Sequence, residues 1–288
     1  YASMPPAKKT IDKILLLLHG RGECIEKYHG IACDLAGKGF WVFTFDWRGQ
    51  GLSCRETDNP HKGHVQSFQD YEDDLSIFYS QQIKPFGLPV YLLTHSMGGH
   101  IALRFMSRYP DQIKKAVLAA PMIDLPLPGW LKKIARVLCA TAAKTSFARH
   151  YTFGSADYSP NSAVVRHARL THDPDNNLIL HQEIQKNPDL ALGGVTWGWL
   201  NAAFESMDEI AQDHVVKRIT TPILLASAQK DTIVCPRAQK TFSRRLPDCI
   251  FLPVLQAYHE IMFESGEINQ VFWDAVDRFY GLRMRQPV

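Results

Sequence analysis

The run Thr94-His95-Ser96-Met97-Gly98-Gly99 surrounds the serine of this chain best equipped for covalent chemistry. An apolar β-type stretch, Val90-Tyr91-Leu92-Leu93, leads into it, and a helix-type stretch, His100-Ile101-Ala102-Leu103-Arg104-Phe105-Met106, leads away. A sharp strand-to-helix turn at that junction pushes the serine Oγ out of the sheet. It also leaves the N–H of Met97 at a helix N-terminus, where partial positive charge collects. Gly98 and Gly99 suit such a turn, since a side chain there would collide as the helix doubles back over its strand. Thr94 stands two before the serine, where Gly or Ala is usual.

A serine hydroxyl is a poor nucleophile until a base takes its proton, and the base needs an orienting carboxylate. Both follow downstream. The β-type run Pro222-Ile223-Leu224-Leu225-Ala226-Ser227 leads to Asp231, and Cys249-Ile250-Phe251-Leu252-Pro253-Val254 leads to His259. Alone, Asp231 reads as a turn residue and His259 as a surface histidine. Together, in the order Ser, Asp, His and each just past a strand, they read as a catalytic triad. The fourth requirement is a pair of donors for an oxyanion. Leu15-Leu16-Leu17-Leu18 reads as a buried strand running into His19-Gly20-Arg21-Gly22-Glu23, and the glycines let main-chain amides turn toward a bound anion. The donors are assigned to the Arg21 and Met97 N–H groups.

These residues need a scaffold that brings several strand ends together. Strand-like runs near 12–18, 40–46, 89–95, 114–120, 222–227 and 249–254 alternate with helix-like runs near 24–38, 67–84, 97–109, 206–214, 236–245 and 268–281. That rhythm predicts an α/β fold with a mostly parallel central sheet flanked by helices, and open sheets of this kind carry their sites at the carboxyl ends of the strands. After Ala119-Ala120-Pro121 the rhythm breaks as far as about Leu200, too long for a plain connection. The expected organisation is a core of 1–120 and 206–288 with a helical cap, 121–205, inserted over the site.

The segment Gly20-Arg21-Gly22-Glu23-Cys24-Ile25-Glu26-Lys27-Tyr28 resembles the oxyanion segment of bacterial lysophospholipase L2 proteins. Phe45-Asp46-Trp47-Arg48-Gly49-Gln50-Gly51-Leu52-Ser53 resembles the Asp-x-Arg-Gly-x-Gly-x-Ser signature of the wider group that includes monoacylglycerol lipases. Ser67-Phe68-Gln69-Asp70-Tyr71 and Gly194-Val195-Thr196-Trp197-Gly198-Trp199-Leu200 are similar to the lysophospholipase branch. The resemblance spans nearly the whole chain and implies the α/β-hydrolase fold. It also implies Ser96 as nucleophile, Asp231 as orienter, His259 as base, and Arg21 and Met97 as oxyanion donors, the residues reached above without it. The family begins with an extra strand pair, whereas this chain opens on Tyr1-Ala2-Ser3, which implies a start inside the natural sequence.

Composition narrows the function classes. A chain of 288 residues, 45% hydrophobic, can bury one large core. Its net charge of +3, with no basic stripe interleaved with aromatics, does not suit nucleic acid. Cys24, Cys33, Cys54, Cys139, Cys235 and Cys249 show no Cys-x-x-Cys spacing and read as free thiols of a reducing compartment. His61 and His64 have no acidic or cysteine companion, so no metal and no cofactor is expected. No segment approaches the roughly 20 apolar residues of a membrane span and no leader is visible, so the expected location is the cytoplasm.

Within the cap, Trp130, Leu131, Ile134, Val137 and Leu138 fall at helical spacing opposite Lys132, Lys133 and Arg136. Two readings compete: a helix packing its apolar side over the groove, or a basic amphipathic helix lying on the inner membrane face. Trp130, Leu131, Ile134, Trp197 and Trp199 are the candidate lining for an acyl chain. The function expected is a serine carboxylester hydrolase that releases a fatty acid from a single-chain lipid such as a lysophospholipid. Alternatives are a monoacylglycerol lipase, a general carboxylesterase, or a binding module that kept the fold. An aminopeptidase would need a carboxylate cluster for a free amine, and none stands out.

Overall fold

Runs without a polar residue belong in a sheet covered on both faces, where neither side of a strand meets water. The computed structural model describes residues 1–6, 11–161 and 170–282. In it the strands are β1 (Ala2–Met4), β2 (Ile14–Leu18), β3 (Trp41–Thr44), β4 (Val90–His95), β5 (Lys115–Ala119), β6 (Ile223–Ala228) and β7 (Cys249–Val254). They form one sheet in the order β1-β3-β2-β4-β5-β6-β7, antiparallel between β1 and β3 and parallel elsewhere. Every residue of β2 is buried, and its Leu16 sits between Phe43 and Leu92 of the flanking strands. The edge strand β1 was not expected. Three residues are too few to show an alternating pattern, and only pairing with β3 makes them a strand.

The helices are α1 (His29–Gly37), α2 (Phe68–Phe78), α3 (Met97–Arg108), α4 (Gly129–Ala143), α5 (Pro174–Lys186), α6 (Trp197–Ile210), α7 (Asp213–Val216), α8 (Pro236–Ser243) and α9 (Gly266–Tyr280). Local chemistry sets several of their ends. The Ser67 hydroxyl accepts the Gln69 N–H at 3.1 Å while Asp70 accepts the Ser67 N–H at 3.3 Å, a capping box that starts α2. Further along, α9 buries Phe272, Val276 and Tyr280, one face of a helix at four-residue spacing.

Between β5 and β6 the described residues contain helices and turns but no strand. The helix placed near 206–214 in fact begins at Trp197, so α6 runs straight across the expected boundary at 205. Its Thr196 hydroxyl accepts the Trp199 N–H and starts the helix early. Residues 162–169 of the expected cap lie outside the described residues. Among the described residues no helix is long and apolar enough to cross a membrane.

The amphipathic helix α4 is turned the other way from the packing that covers a groove. Trp130 and Val137 are 66% exposed, and Ile134, Leu138 and Leu131 are exposed beside them. The opposite side faces the protein: Cys139 is buried, Lys132 pairs with Asp124, and Arg136 makes a two-pronged pair with Asp208 and lies 4.8 Å from the Phe204 ring. Cys139 and Ala135 join the hydrophobic core on this side, and the ion pairs with Asp124 and Asp208 flank that packing.

Candidate active site

The carboxyl ends of β2, β4, β6 and β7 open onto one region, and each contributes a loop to it. At the end of β4, Ser96 adopts φ 49° and ψ −114°, a strained conformation for a residue with a side chain. Close approach makes Gly98 obligatory: a Cβ there would lie 2.5 Å from the Leu18 carbonyl oxygen and 2.6 Å from that of His19. The collision expected with the helix's own strand is thus with the end of β2. At Gly99 the crowding comes from Pro121 and Thr94. Thr94 fits its position because it is wholly buried and its hydroxyl donates to the Val117 carbonyl of β5 at 3.3 Å.

His259 reaches the site from the loop after β7. Its Nε2 lies 3.0 Å from Ser96 Oγ, and its Nδ1 lies 2.6 Å from Asp231 Oδ2. Asp231 is itself pinned, because its other oxygen accepts the N–H groups of Ile233 at 2.7 Å and Val234 at 3.0 Å. A carboxylate can only accept, so Nδ1 carries the hydrogen and Nε2 is left free to accept from Ser96. Three residues 163 positions apart at the extremes are therefore brought into one hydrogen-bonded line. A second buried histidine near the elbow, His100, faces elsewhere. Its Nδ1–H donates to the Met122 carbonyl at 2.8 Å and its Nε2 accepts from Ser206 at 2.6 Å. Burial pushes its pKa down to about 3, which keeps it neutral.

Met97 opens α3, so its N–H has no helical acceptor behind it. Arg21 lies in the loop after β2, where the preceding amide, Gly20 N–H, is taken by Glu23 at 2.5 Å. The Asp-x-Arg-Gly-x-Gly-x-Ser segment supports this loop. Asp46 accepts the N–H of Ile25 and of Leu52, each at 3.0 Å, and Gln50 Oε1 accepts the Gly22 N–H at 2.7 Å. Trp47 donates its indole N–H to the His19 carbonyl at 2.9 Å. Gly51 has φ +51°, and a Cβ there would stand 2.0 Å from the Asp46 carboxyl carbon. Gly51→Ala should therefore lower the unfolding free energy by about 2–4 kcal/mol and slow turnover as the displaced Asp46 lets go of the loop. A urea midpoint equal to the wild type's would show that something else holds it.

The proposed lining residues are not gathered in one place. Trp130, Leu131 and Ile134 are exposed on α4. Trp199 is a core residue: it is 5% exposed, donates its indole N–H to the Tyr71 hydroxyl at 3.3 Å, and packs edge-on against Phe68. Trp197 is partly buried against Phe153. The Arg21 guanidinium donates to the Gly193 carbonyl at 2.7 Å and lies over the Trp199 ring, which ties the oxyanion loop to the insertion. On the opposite side, buried Glu264 accepts the Tyr258 N–H at 2.7 Å and the His172 N–H at 2.9 Å, which ties the insertion to the loop of His259. Neither tie had a signal in the sequence.

All six cysteines are unpaired, and burial pushes Cys139 up to about 11 and Cys249 up to about 12, so neither is poised as a thiolate nucleophile. His61 accepts the Tyr158 N–H, and His64 is bonded to the Thr196 hydroxyl. Among the described residues no group of three or more His, Cys, Asp or Glu side chains is arranged to hold a metal ion.

Comparison with known proteins finds relatives in sequence and in fold. The family model Hydrolase_4, described as serine aminopeptidase, S33, matches residues 9–266. A protein called probable lysophospholipase L2 from Haemophilus influenzae is 27% identical, with 98% of this chain and 88% of its own covered. Lysophospholipase L2 of Escherichia coli is 30% identical, over 93% of this chain and 80% of its own. In fold, the chain is similar to the monoacylglycerol lipase of Paleococcus ferrophilus, with a TM-score of 0.73 at 23% identity and 96% of each chain covered. It is similar also to a soluble variant of the monoglyceride lipase of Saccharomyces cerevisiae, with a TM-score of 0.74 at 21% identity over 96% of this chain and 89% of that one.

Proposed function

The chain belongs to the Hydrolase_4 family of serine hydrolases and is a relative of the lysophospholipase L2 proteins, and from that premise we propose that it is a serine carboxylester hydrolase releasing a fatty acid from a lysophospholipid. The observation that carries the proposal is the line Asp231–His259–Ser96, at 2.6 and 3.0 Å, with the Met97 amide at the start of α3 beside it. Ser96 Oγ attacks the acyl carbonyl while its proton passes to His259 Nε2. The Arg21 and Met97 N–H groups hold the oxyanion, and Asp231 steadies the imidazolium that forms. Collapse breaks the ester bond, and the departing glycerophospho alcohol takes the proton from His259. Water then attacks the acyl-enzyme, gives a proton to His259, and releases the fatty acid as Ser96 recovers its hydrogen.

A second reading, a monoacylglycerol lipase or a general carboxylesterase, is favoured by the names of the structural neighbours. Turnover of lysophosphatidylcholine, lysophosphatidylethanolamine and monoacylglycerol, at one chain length, separates the readings. A preference for the uncharged glyceride would overturn the lysophospholipid assignment. A binding module without activity would leave a fluorophosphonate unreacted.

The insertion between β5 and β6 acts in this reading as the cap, and the exposed face of α4 is its contact with lipid. A row of Trp130, Ile134, Val137 and Leu138 facing outward suits the headgroup boundary, where a single-chain substrate is drawn from the bilayer. Of the three cations opposite, Lys132 and Arg136 are engaged with Asp124 and Asp208, which leaves Lys133 exposed. Apolar burial therefore dominates. Trp130→Ser with Val137→Ser should weaken binding to phosphatidylcholine vesicles about tenfold or more, with turnover of a short soluble ester unchanged. Equal loss on both readouts would make α4 a structural helix.

A further inference from the structure

Four buried ionisable side chains stand between the oxyanion loop, the nucleophile and the base, and the acyl-transfer steps above do not use them. Glu23 accepts the Lys27 ammonium at 2.6 Å on one oxygen, and the same ammonium donates to Glu260 at 2.6 Å. The other oxygen of Glu23 accepts the Gly20 N–H at 2.5 Å, the Tyr28 hydroxyl at 2.8 Å and His95 Nδ1–H at 2.9 Å. His95 Nε2 lies 3.3 Å from the main-chain carbonyl of His259, and the two imidazole rings are 4.7 Å apart. Glu23, Lys27, His95 and Glu260 are each 5% exposed or less.

These partners settle the protonation of His95. Glu23 is surrounded by donors and is a carboxylate; a main-chain carbonyl can only accept. Both nitrogens of His95 therefore carry hydrogen, and the ring is an imidazolium. The charges of the cluster then cancel, two negative against two positive. Burial works against the charge on His95, but the Glu23 carboxylate outweighs it and raises the histidine's pKa. Burial likewise pushes Glu23 up, and Lys27 and His95 together bring it well below the usual carboxylate range.

The positions in the chain give the cluster its consequence. His95 immediately precedes Ser96, and Glu260 immediately follows His259. His259 rides on a loop between β7 and the short 3-10 turn Ile261–Phe263, so its backbone is not held by a strand or helix. On the triad reading above, we propose that His95, as an imidazolium held by Glu23, is a positioning residue that grips the His259 carbonyl and keeps the base within reach of Ser96. The Glu23–Lys27–Glu260 chain braces the same loop from its other side, so one network sets the oxyanion loop, the elbow and the base together.

The arrangement is sensitive to alkali. The groups that face His95 are Glu23, Lys27 and Tyr28 from the oxyanion segment, and His259 and Glu260 from the base loop; His19 stands at the end of the neighbouring strand, 3.5 Å from Asp46. Because the pKa of His95 is raised on folding, the stabilisation is complete below the ordinary histidine value of about 6.5. It is lost as the pH climbs through the higher native value. Loss of that proton frees the His259 carbonyl.

Nitrogen-15 NMR of the full chain reads the ring directly, with fluorophosphonate labelling of Ser96 and hydrolysis of a short soluble ester as kinetic arms. At pH 7 both His95 nitrogens are expected to be protonated. His95→Gln and Glu23→Gln should each slow labelling and kcat by about 10- to 100-fold with KM within twofold. In Glu23→Gln the alkaline fall of kcat should move to lower pH. A neutral His95 ring at pH 7, or labelling of a folded His95→Gln within twofold of the wild type, would overturn the proposal. If His95→Gln does not fold, Glu23→Gln and the NMR measurement decide. A wild type that does not label at all would remove the triad reading and this proposal with it, an outcome distinct from normal labelling with a neutral His95.

Discussion

Replacing Ser96 with alanine should lower kcat on a lysophospholipid by about 10⁶-fold while leaving the fold intact. In the proposed mechanism the hydroxyl forms the acyl-enzyme, and among the described residues the side-chain partner of His259 Nε2 is Ser96 Oγ, at 3.0 Å. Alanine adopts the elbow's φ of 49° at much the same strain as serine, so the turn has no new reason to rearrange. Gly98 still passes under the end of β2, and the Met97 amide still opens α3. A bound ester would then meet only the oxyanion donors and water, which sustain a small residual rate. Activity within tenfold of the wild type, at an unchanged melting temperature, would remove Ser96 from the mechanism.

Asp231→Asn should cost about 10⁴-fold in kcat, and the geometry gives the reason. One oxygen of Asp231 accepts two main-chain amides, from Ile233 at 2.7 Å and Val234 at 3.0 Å. An asparagine keeps that role with its carbonyl oxygen, since its amide nitrogen cannot accept. The nitrogen must then face His259 Nδ1, where the carboxylate accepted at 2.6 Å. An NH₂ group at that place selects the tautomer with hydrogen on Nε2, which points at Ser96 and can no longer take its proton. The tautomer can be read by nitrogen-15 NMR and the rate by steady-state kinetics on one sample. An asparagine variant within tenfold of the wild type would move the orienting role to another acid.

Much of the scaffold is legible in the sequence. Leu15-Leu16-Leu17-Leu18, Val90-Tyr91-Leu92-Leu93 and Ile223-Leu224-Leu225-Ala226 read as buried strands because a parallel sheet needs apolar side chains on both faces. Small residues around Ser96 marked the elbow, since only they tolerate a helix start beneath a neighbouring strand end. Asp231 and His259 followed from the chain order Ser, Asp, His and from their positions just past strand-like runs. Chemistry that depends on residue type and chain order survives in a one-dimensional record.

What remained hidden depends on which surfaces meet. The periodicity of α4 showed two faces, but which one turns inward depended on its neighbours: Cys139 and Ala135 meet the core there, and Lys132 and Arg136 find Asp124 and Asp208 on other elements. Trp199 looked like lining for an acyl chain, and it became core because Tyr71 and Phe68 of α2 stand beside it. The role of Asp46 and Gln50 as supports of the oxyanion loop, and the charge on His95, rest on contacts between segments far apart in the chain. The pattern of a sequence fixes which side chains share a strand or a helical face, because that spacing is a property of the backbone. Which of those faces meets water, and which ion finds its partner, is decided only when the layers stack, because burial and pairing energies belong to both surfaces at once.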